Sequence, residues 1–256
     1  MLWPFWIVSK LMTRLGLIVA AGAAGFGAGL LMQARAEHRT WAVVPADQER
    51  ELPGDDLIPL ADMVETRTLR VEAPPETVWP WLVQMGYGRG GWYSYDRLDT
   101  DQPSADTILE EHQELAEGDL VPTHPDGGFV ARLVEPGKTL VLYLDSEQLR
   151  AQAEAAAEAR SAEDEPGEDT PAGLQAAGAM SEMTMPDFRG SWTFVLEPAP
   201  GGATRLIERM RLWSGSGGPA LRLGVPLFGL GAFLMTRKHM LGVQARAERH
   251  ARAQEA

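Results

Sequence analysis

The chain has no cysteine. That excludes disulfides, thiolate nucleophiles and Cys-ligated zinc. It leaves the compartment open, because a cysteine-free chain suits reducing and oxidising surroundings alike. Positive charge is scarce: 23 Lys and Arg stand against 36 Asp and Glu, a formal net charge of −13. This argues against nucleic acid as a partner, since phosphate binding needs clustered basic side chains. Histidines are few and scattered (38, 112, 124, 239 and 250), with no ligand spacing, so no metal is expected. No Ser-His-Asp order and no nucleotide-binding loop is present. The glycines of residues 86–91 do not join a strand to a helix in a βαβ unit, and no cofactor is expected.

What is present allows one substantial domain with additions: 256 residues, 45% of them hydrophobic. Residues 1–36 form a hydrophobic, transmembrane-type segment. Within it, Leu15 to Met32 carries no charge and matches the roughly 18–20 residues of a membrane span. Trp3 and Trp6 precede it as interfacial aromatics. Lys10 and Arg14 on one side balance Arg35 and Arg39 on the other, so charge does not orient it. A signal peptide, with Ala34-Arg35-Ala36 as a poor cleavage site, and a buried soluble helix are the competing readings. The expectation is a single-pass membrane protein with the side of its soluble domain unresolved. Gly25 and Gly29 permit close helix approach, although general smallness explains them equally.

Residues 37–65 are polar with scattered proline and read as a linker. The domain proper is expected over 66–253. Thr66 to Glu72 alternates as a first strand. Pro75 and Glu76 open a helix carrying Val78, Trp79, Trp81, Leu82 and Met85, with Pro80 expected to kink it or shift its start. Further strands follow from Gly118-Asp119-Leu120-Val121, Gly128 to Val134, Thr139 to Leu144, Ser191 to Leu196 and Thr204 to Trp213. Their short connections predict an antiparallel meander. Pro219 to Ala253 has the pattern of a long helix, and a second span at Leu223 to Met235 is disfavoured by Pro226 and by its shortness. Between the fourth and fifth strands lies an acidic insert at 145–188. From Asp145 to Arg189, eleven acidic residues against three arginines leave −8. Its Ala- and Glu-rich beginning predicts an exposed helix and the rest predicts disorder.

The densest segment is Ala73 to Asp99, where Trp79, Trp81 and Trp92 lie beside Gly86, Gly88, Gly90 and Gly91. Flat side chains next to permissive backbone suggest a wall over an apolar cavity. Val71-Glu72-Ala73-Pro74-Pro75-Glu76-Thr77-Val78-Trp79, Trp81 to Gly86 and the block Arg89-Gly90-Gly91-Trp92-Tyr93-Ser94-Tyr95-Asp96 resemble the SRPBCC, or START-like (polyketide cyclase/dehydrase-like), superfamily. Gly118-Asp119, Trp192 to Pro198, Thr204-Arg205-Leu206 and Met240 to Glu248 extend the likeness. It covers roughly 66–144 and 189–249; the hydrophobic N-terminus and the acidic insert lie outside it. The resemblance implies an α+β helix-grip fold, with a curved antiparallel sheet around a long C-terminal helix and an apolar cavity between them. It also implies a hydrophobic small molecule, a polyketide or a lipid as partner.

The candidate ligand-binding residues are Trp79, Gln84, Arg89, Trp92, Tyr93, Tyr95, Trp192 and Phe233. The tryptophans either line a cavity or fill the core, and the tyrosine hydroxyls either orient a ligand or bond nearby backbone. Arg89 either pairs with Asp96 or meets a ligand carboxylate. Arg209 and Arg211 share one strand face, read as solvent-facing; on the inner face they would form an anion site. The favoured function is non-catalytic binding. The alternatives are a cyclase or hydrolase using Tyr95, Asp96 or His239, and a scaffold acting through the acidic insert.

Overall fold

The computed structural model of the chain describes residues 32–33, 35–99, 102–163, 187–215 and 219–255, with side chains of the last helix described from 229. The expected span at Leu15 to Met32 and most of the acidic insert lie outside the described residues. Among the described residues no helix is long and apolar enough to cross a membrane. The chain divides into two units, residues 1–41 and 42–256. In the first, residues 35–40 are helical.

The second unit is α+β. Its elements run α1 Pro45–Glu49, β1 Met63–Val71, α2 Pro75–Val83, α3 Asp96–Asp99, β2 Leu120–His124, β3 Gly127–Glu135 and β4 Thr139–Asp145. They continue as α4 Ser146–Glu163, β5 Phe188–Ala199, β6 Ala203–Ser214 and α5 Pro219–Glu255. The six strands form one antiparallel sheet in the order β1-β6-β5-β4-β3-β2. Every strand expected from alternation is present. The meander β2 to β6 runs through short turns except between β4 and β5, where the insert intervenes, and β1 closes on β6 from the far edge. The β5–β6 turn places Gly201 and Gly202 at φ +81° and +74°, a left-handed pair that side-chain-bearing residues disfavour.

Alternation sorts the sheet into two faces. The inner face carries Met63 and Val71 of β1, Trp192, Phe194 and Leu196 of β5, and Leu206 and Met210 of β6. Helix α5 lies over it and buries Phe233, Met240, Val243 and Ala247. Gln244 Nε2 donates to the Arg70 carbonyl at 2.9 Å, and the Glu72 amide donates to Glu248 Oε1 at 3.0 Å, fixing the helix against β1. Helix α2 is continuous through Pro80. The bond Pro80 cannot make falls on the Glu76 carbonyl in an exposed first turn, where water can take it. Gly242 lets α5 approach the aromatic segment, since a Cβ there would stand 2.3 Å from the Tyr93 carbonyl oxygen.

The outer face is covered rather than solvated. Arg209, 2% exposed, donates from Nε to Thr66 Oγ1 at 2.9 Å, from Nη1 to the Arg50 carbonyl at 3.0 Å and from Nη2 to the Asp47 carbonyl at 2.5 Å. It also pairs with Asp55 at 2.5 Å. Arg211 donates to the Ile58 carbonyl at 2.8 Å and meets Asp55 at 3.3 Å. Arg209 and Arg211 are therefore neither a solvent face nor an anion site. They staple residues 42–62, read from sequence as part of a linker, across the back of the sheet. Leu52 and Ile58 are buried there, and Thr193 Oγ1 donates to the Pro53 carbonyl at 3.1 Å.

Candidate functional site

Between the inner face and α5 lies a cavity of about 580 Å³. That volume falls in the roughly 300–1,000 Å³ range of small-molecule sites. The sheet contributes Phe129 (β3), Leu144 (β4), Phe188 and Trp192 (β5), and Met210 and Leu212 (β6). Helix α5 contributes Gly231, Ala232, Met235, Thr236 and His239, and the aromatic segment contributes Trp92 and Ser94. Trp92 stacks on Trp192 with centroids 5.6 Å apart and an interplanar angle of 21°, and Phe129 meets Trp92 edge-on at 6.3 Å.

The aromatic segment is braced from behind. Asp96 Oδ1 accepts from Ser104 Oγ at 2.6 Å, and Ser104 Oγ accepts from the Tyr93 amide at 3.0 Å. This relay holds Tyr93 at φ +54°, a left-handed conformation costing a non-glycine residue on the order of 1 kcal/mol. The turn brings the Trp92 carbonyl oxygen to 2.7 Å from His239 Nδ1. A carbonyl only accepts, so Nδ1 carries the proton and Nε2 is left with a lone pair.

Beside His239 stands Glu208, 1% exposed, on the inner face of β6. Its Oε1 accepts from Trp192 Nε1 at 2.8 Å, and its Oε2 lies 3.8 Å from His239 Nε2. His239 Nε2 has no hydrogen-bond partner. Burial pushes the Glu208 carboxyl up to about 8, against the Trp192 indole, the Arg67 charge and the Thr236 hydroxyl, which all favour the carboxylate. Burial also pushes His239 down to about 4, with the Trp92 carbonyl opposing. At neutral pH the pair is a carboxylic acid beside a neutral imidazole. Across the strand, Arg67 sits opposite Glu208 in register and pairs with Glu65 at 2.6 Å, under the ring of Phe233 at 5.4 Å. Among the described residues no group of three or more His, Asp or Glu could hold a metal ion.

No family model matches the chain, and no curated protein matches it. Among solved structures, the protein MLL2253 from Mesorhizobium loti is 17% identical, over 72% of this chain and 97% of its own, with a TM-score of 0.33. CV1439 from Chromobacterium violaceum is 15% identical over 72% and 96%, with a TM-score of 0.32. CalU16 from Micromonospora echinospora is 16% identical over 75% and 88%, with a TM-score of 0.28. Likenesses at that level say nothing about function.

Of the candidates from sequence, Trp92 and Trp192 meet at the cavity. The others lie off its lining. Gln84, fully buried, accepts from the Leu109 amide at 2.9 Å and donates to the Thr107 carbonyl at 3.2 Å, so it organises a loop. Arg89 donates to the carbonyls of Met85, Val83 and His112, pairing with neither Asp96 nor a cavity group. Tyr93 is buried against Trp81, Trp79 is half-buried and Tyr95 is 43% exposed. Phe233 packs on Arg67, one step from the lining. Sequence reasoning missed Glu208, Arg67, Phe129, Met210 and Thr236. A signal existed for Glu208: it shares its strand face with Leu206, Met210 and Leu212, an acid in an otherwise apolar row.

Proposed function

We propose that this chain is a membrane-anchored domain of the SRPBCC, or START-like, superfamily that binds a hydrophobic small molecule or lipid between its sheet and its C-terminal helix. The observation that carries the reading is the cavity of about 580 Å³ walled by Trp92, Phe129, Trp192, Met210, Leu212 and Met235. The pocket opens to solvent, so while it is empty its apolar walls face water that an apolar occupant would displace. Few polar groups enter it, so an apolar occupant is favoured over a charged one. The anchor rests on the uncharged run from Leu15 to Met32 and on Trp3 and Trp6. A tether there would hold the cavity beside a reservoir of apolar ligands.

The test is mass spectrometry of organic extracts from the detergent-purified full chain. The comparison is Ala232→Trp, which fills the cavity from α5. A molecule recovered with the wild type and absent from the variant supports the reading, and identical extracts refute it. The anchor is tested separately: alkaline carbonate should leave the full chain in the membrane pellet, and release into the supernatant would refute it.

The alternative of a cyclase or hydrolase keeps one of its three acid-base candidates. Tyr95 is exposed and Asp96 is spent on Ser104, whereas His239 lines the cavity beside a neutral carboxyl. Chemical conversion of the extracted molecule by the chain, lost in His239→Phe, would favour that reading.

A further inference from the structure

Exposed apolar side chains gather where the cavity meets the surface. Gly231 and Met235 of α5 both line the cavity and are exposed, so its mouth lies beside them. Ser94 Oγ donates to the Met235 carbonyl at 3.2 Å, which sets Tyr95 against the same stretch of helix. Leu234, Met235 and Tyr95 are all exposed. Large apolar side chains standing singly at a surface are ordinary, but a group of them around a cavity mouth marks a contact site.

The charge of this face departs from that of the chain. The whole sequence carries −13, yet α5 holds no acid over residues 219–247. Its charged residues there are Arg222, Arg237, Lys238 and Arg246. Arg246 is engaged by Asp106 and the Ala105 carbonyl. Lys238 lies one turn beyond Leu234, on the same side of the helix, and is exposed with no ion-pair partner among the described residues. The acids of neighbouring α3 are Asp96, which is turned onto Ser104, and Asp99, which Arg97 offsets in charge.

Apolar side chains beside cations complement the interface of an anionic bilayer, which offers hydrocarbon beneath a negatively charged surface. The acidity of the rest of the chain acts in the same direction. It is repelled from such a surface, which leaves the acid-free side as the one that approaches. A second copy of the chain fits less well, because a two-fold pairing sets the patch against itself and brings its cations together.

We propose that the exposed side of α5 at Leu234, Met235 and Lys238, together with Tyr95, docks on an anionic lipid bilayer and sets the cavity mouth against it. An apolar molecule then passes between bilayer and cavity without crossing water. This rests on the membrane reading above and names the face that meets the lipid.

The chain has no cysteine, so Leu234→Cys gives the full chain a single attachment point for a nitrobenzoxadiazole label, whose emission reports its surroundings. The labelled chain is reconstituted into vesicles of phosphatidylcholine, with or without phosphatidylglycerol. With phosphatidylglycerol the emission should shift to the blue, and nitroxide-bearing lipids should quench it. The same label at Glu135→Cys, exposed in the β3–β4 turn at the other end of the sheet, should do neither. Lys238→Gln should lower the ratio of quenched to unquenched emission at Leu234→Cys by about fivefold, the worth of one cation near an anionic surface. High salt should lower it too. Emission at the Leu234 site matching that at the Glu135 site in anionic vesicles would overturn the proposal. So would a blue shift that lipid nitroxides leave unquenched, since protein rather than lipid would then cover the face. Quenching indifferent to phosphatidylglycerol, to salt and to Lys238→Gln would overturn the anionic surface as partner. Tyr95→Cys, labelled in the same way, gives an independent reading should the Leu234 variant not fold. Carbonate extraction reads the anchor separately: a chain that stays in the pellet with an unquenched label keeps its anchor and loses this proposal.

Discussion

Replacing Glu208 by Gln should convert a pH-dependent fold into a less dependent one, and the size of the change is set by burial. Glu208 titrates at about 8 in the folded chain against an ordinary 4.5. Between those values the unfolded chain has released the proton and the folded chain still holds it. Stability therefore falls as pH rises, by about 1.4 kcal/mol per unit. The advantage of the protonated form is fully present below pH 4.5 and is lost as pH climbs through 8, about 5 kcal/mol in all. His239 acts in the opposite sense. Its folded value of about 4 lies below the ordinary 6.5, so its share of stability is present above 6.5 and lost as pH falls through 4. Between 4.5 and 6.5 the two slopes cancel, and above 6.5 the Glu208 slope stands alone.

Glu208→Gln removes one slope and keeps the shape. The assay is urea unfolding of the wild type and the variant, followed by tryptophan fluorescence, at pH 5.5 and pH 7.5. Taking the difference between the two proteins at each pH cancels every other titrating group. The variant should gain on the wild type by about 3 kcal/mol between the two pH values. A difference that stays constant within about 0.5 kcal/mol would refute the argument that Glu208 is held as a neutral acid.

Arg209→Ala should destabilise the domain by about 3–5 kcal/mol in urea unfolding, because Asp55 and the carbonyls of Asp47 and Arg50 lose a buried partner. Gly242→Ala should cost about 1–3 kcal/mol and lower the yield of bound molecule, since the new methyl would meet the Tyr93 carbonyl at 2.3 Å. Tyr95→Ala should change unfolding by less than about 0.5 kcal/mol, as expected for a 43% exposed side chain away from the cavity.

The strands were legible because each buries one face and punctuates itself with glycine or proline. Thr139 to Tyr143, for example, is buried throughout and preceded by the Pro136-Gly137 turn. What alternation does not reveal is which face looks inward. Arg209 and Arg211 have the pattern of a solvated row, and only the packing of residues 42–62 over them turns that row into a buried one. That packing leaves no periodic trace, because the cover is held by its carbonyls rather than by a stripe of side chains. The same inversion hid Glu208 and Arg67, whose inward direction follows once the outer face is assigned. Trp92 was legible as a wall residue from its setting among glycines. Its carbonyl's role in fixing the His239 tautomer was not, since it depends on a turn held by Ser104 and Asp96 from farther along the chain.

The β4–β5 pairing closes as far as Asp145 and Arg189, which are register partners. Everything between them departs from and returns to one hairpin end. Each doubling of such an excursion costs only about 0.6 kcal/mol of chain entropy. Among the described residues, α4 reaches back to β3 through Gln148 and Gln152 on Gly128. The sheet is thus a host with a ready port. Related genes can lengthen, trim or exchange the sequence carried there while the register of β4 and β5, and the walls they raise, stay where they are. Variation in this protein's lineage should accumulate at that port before it reaches the cavity.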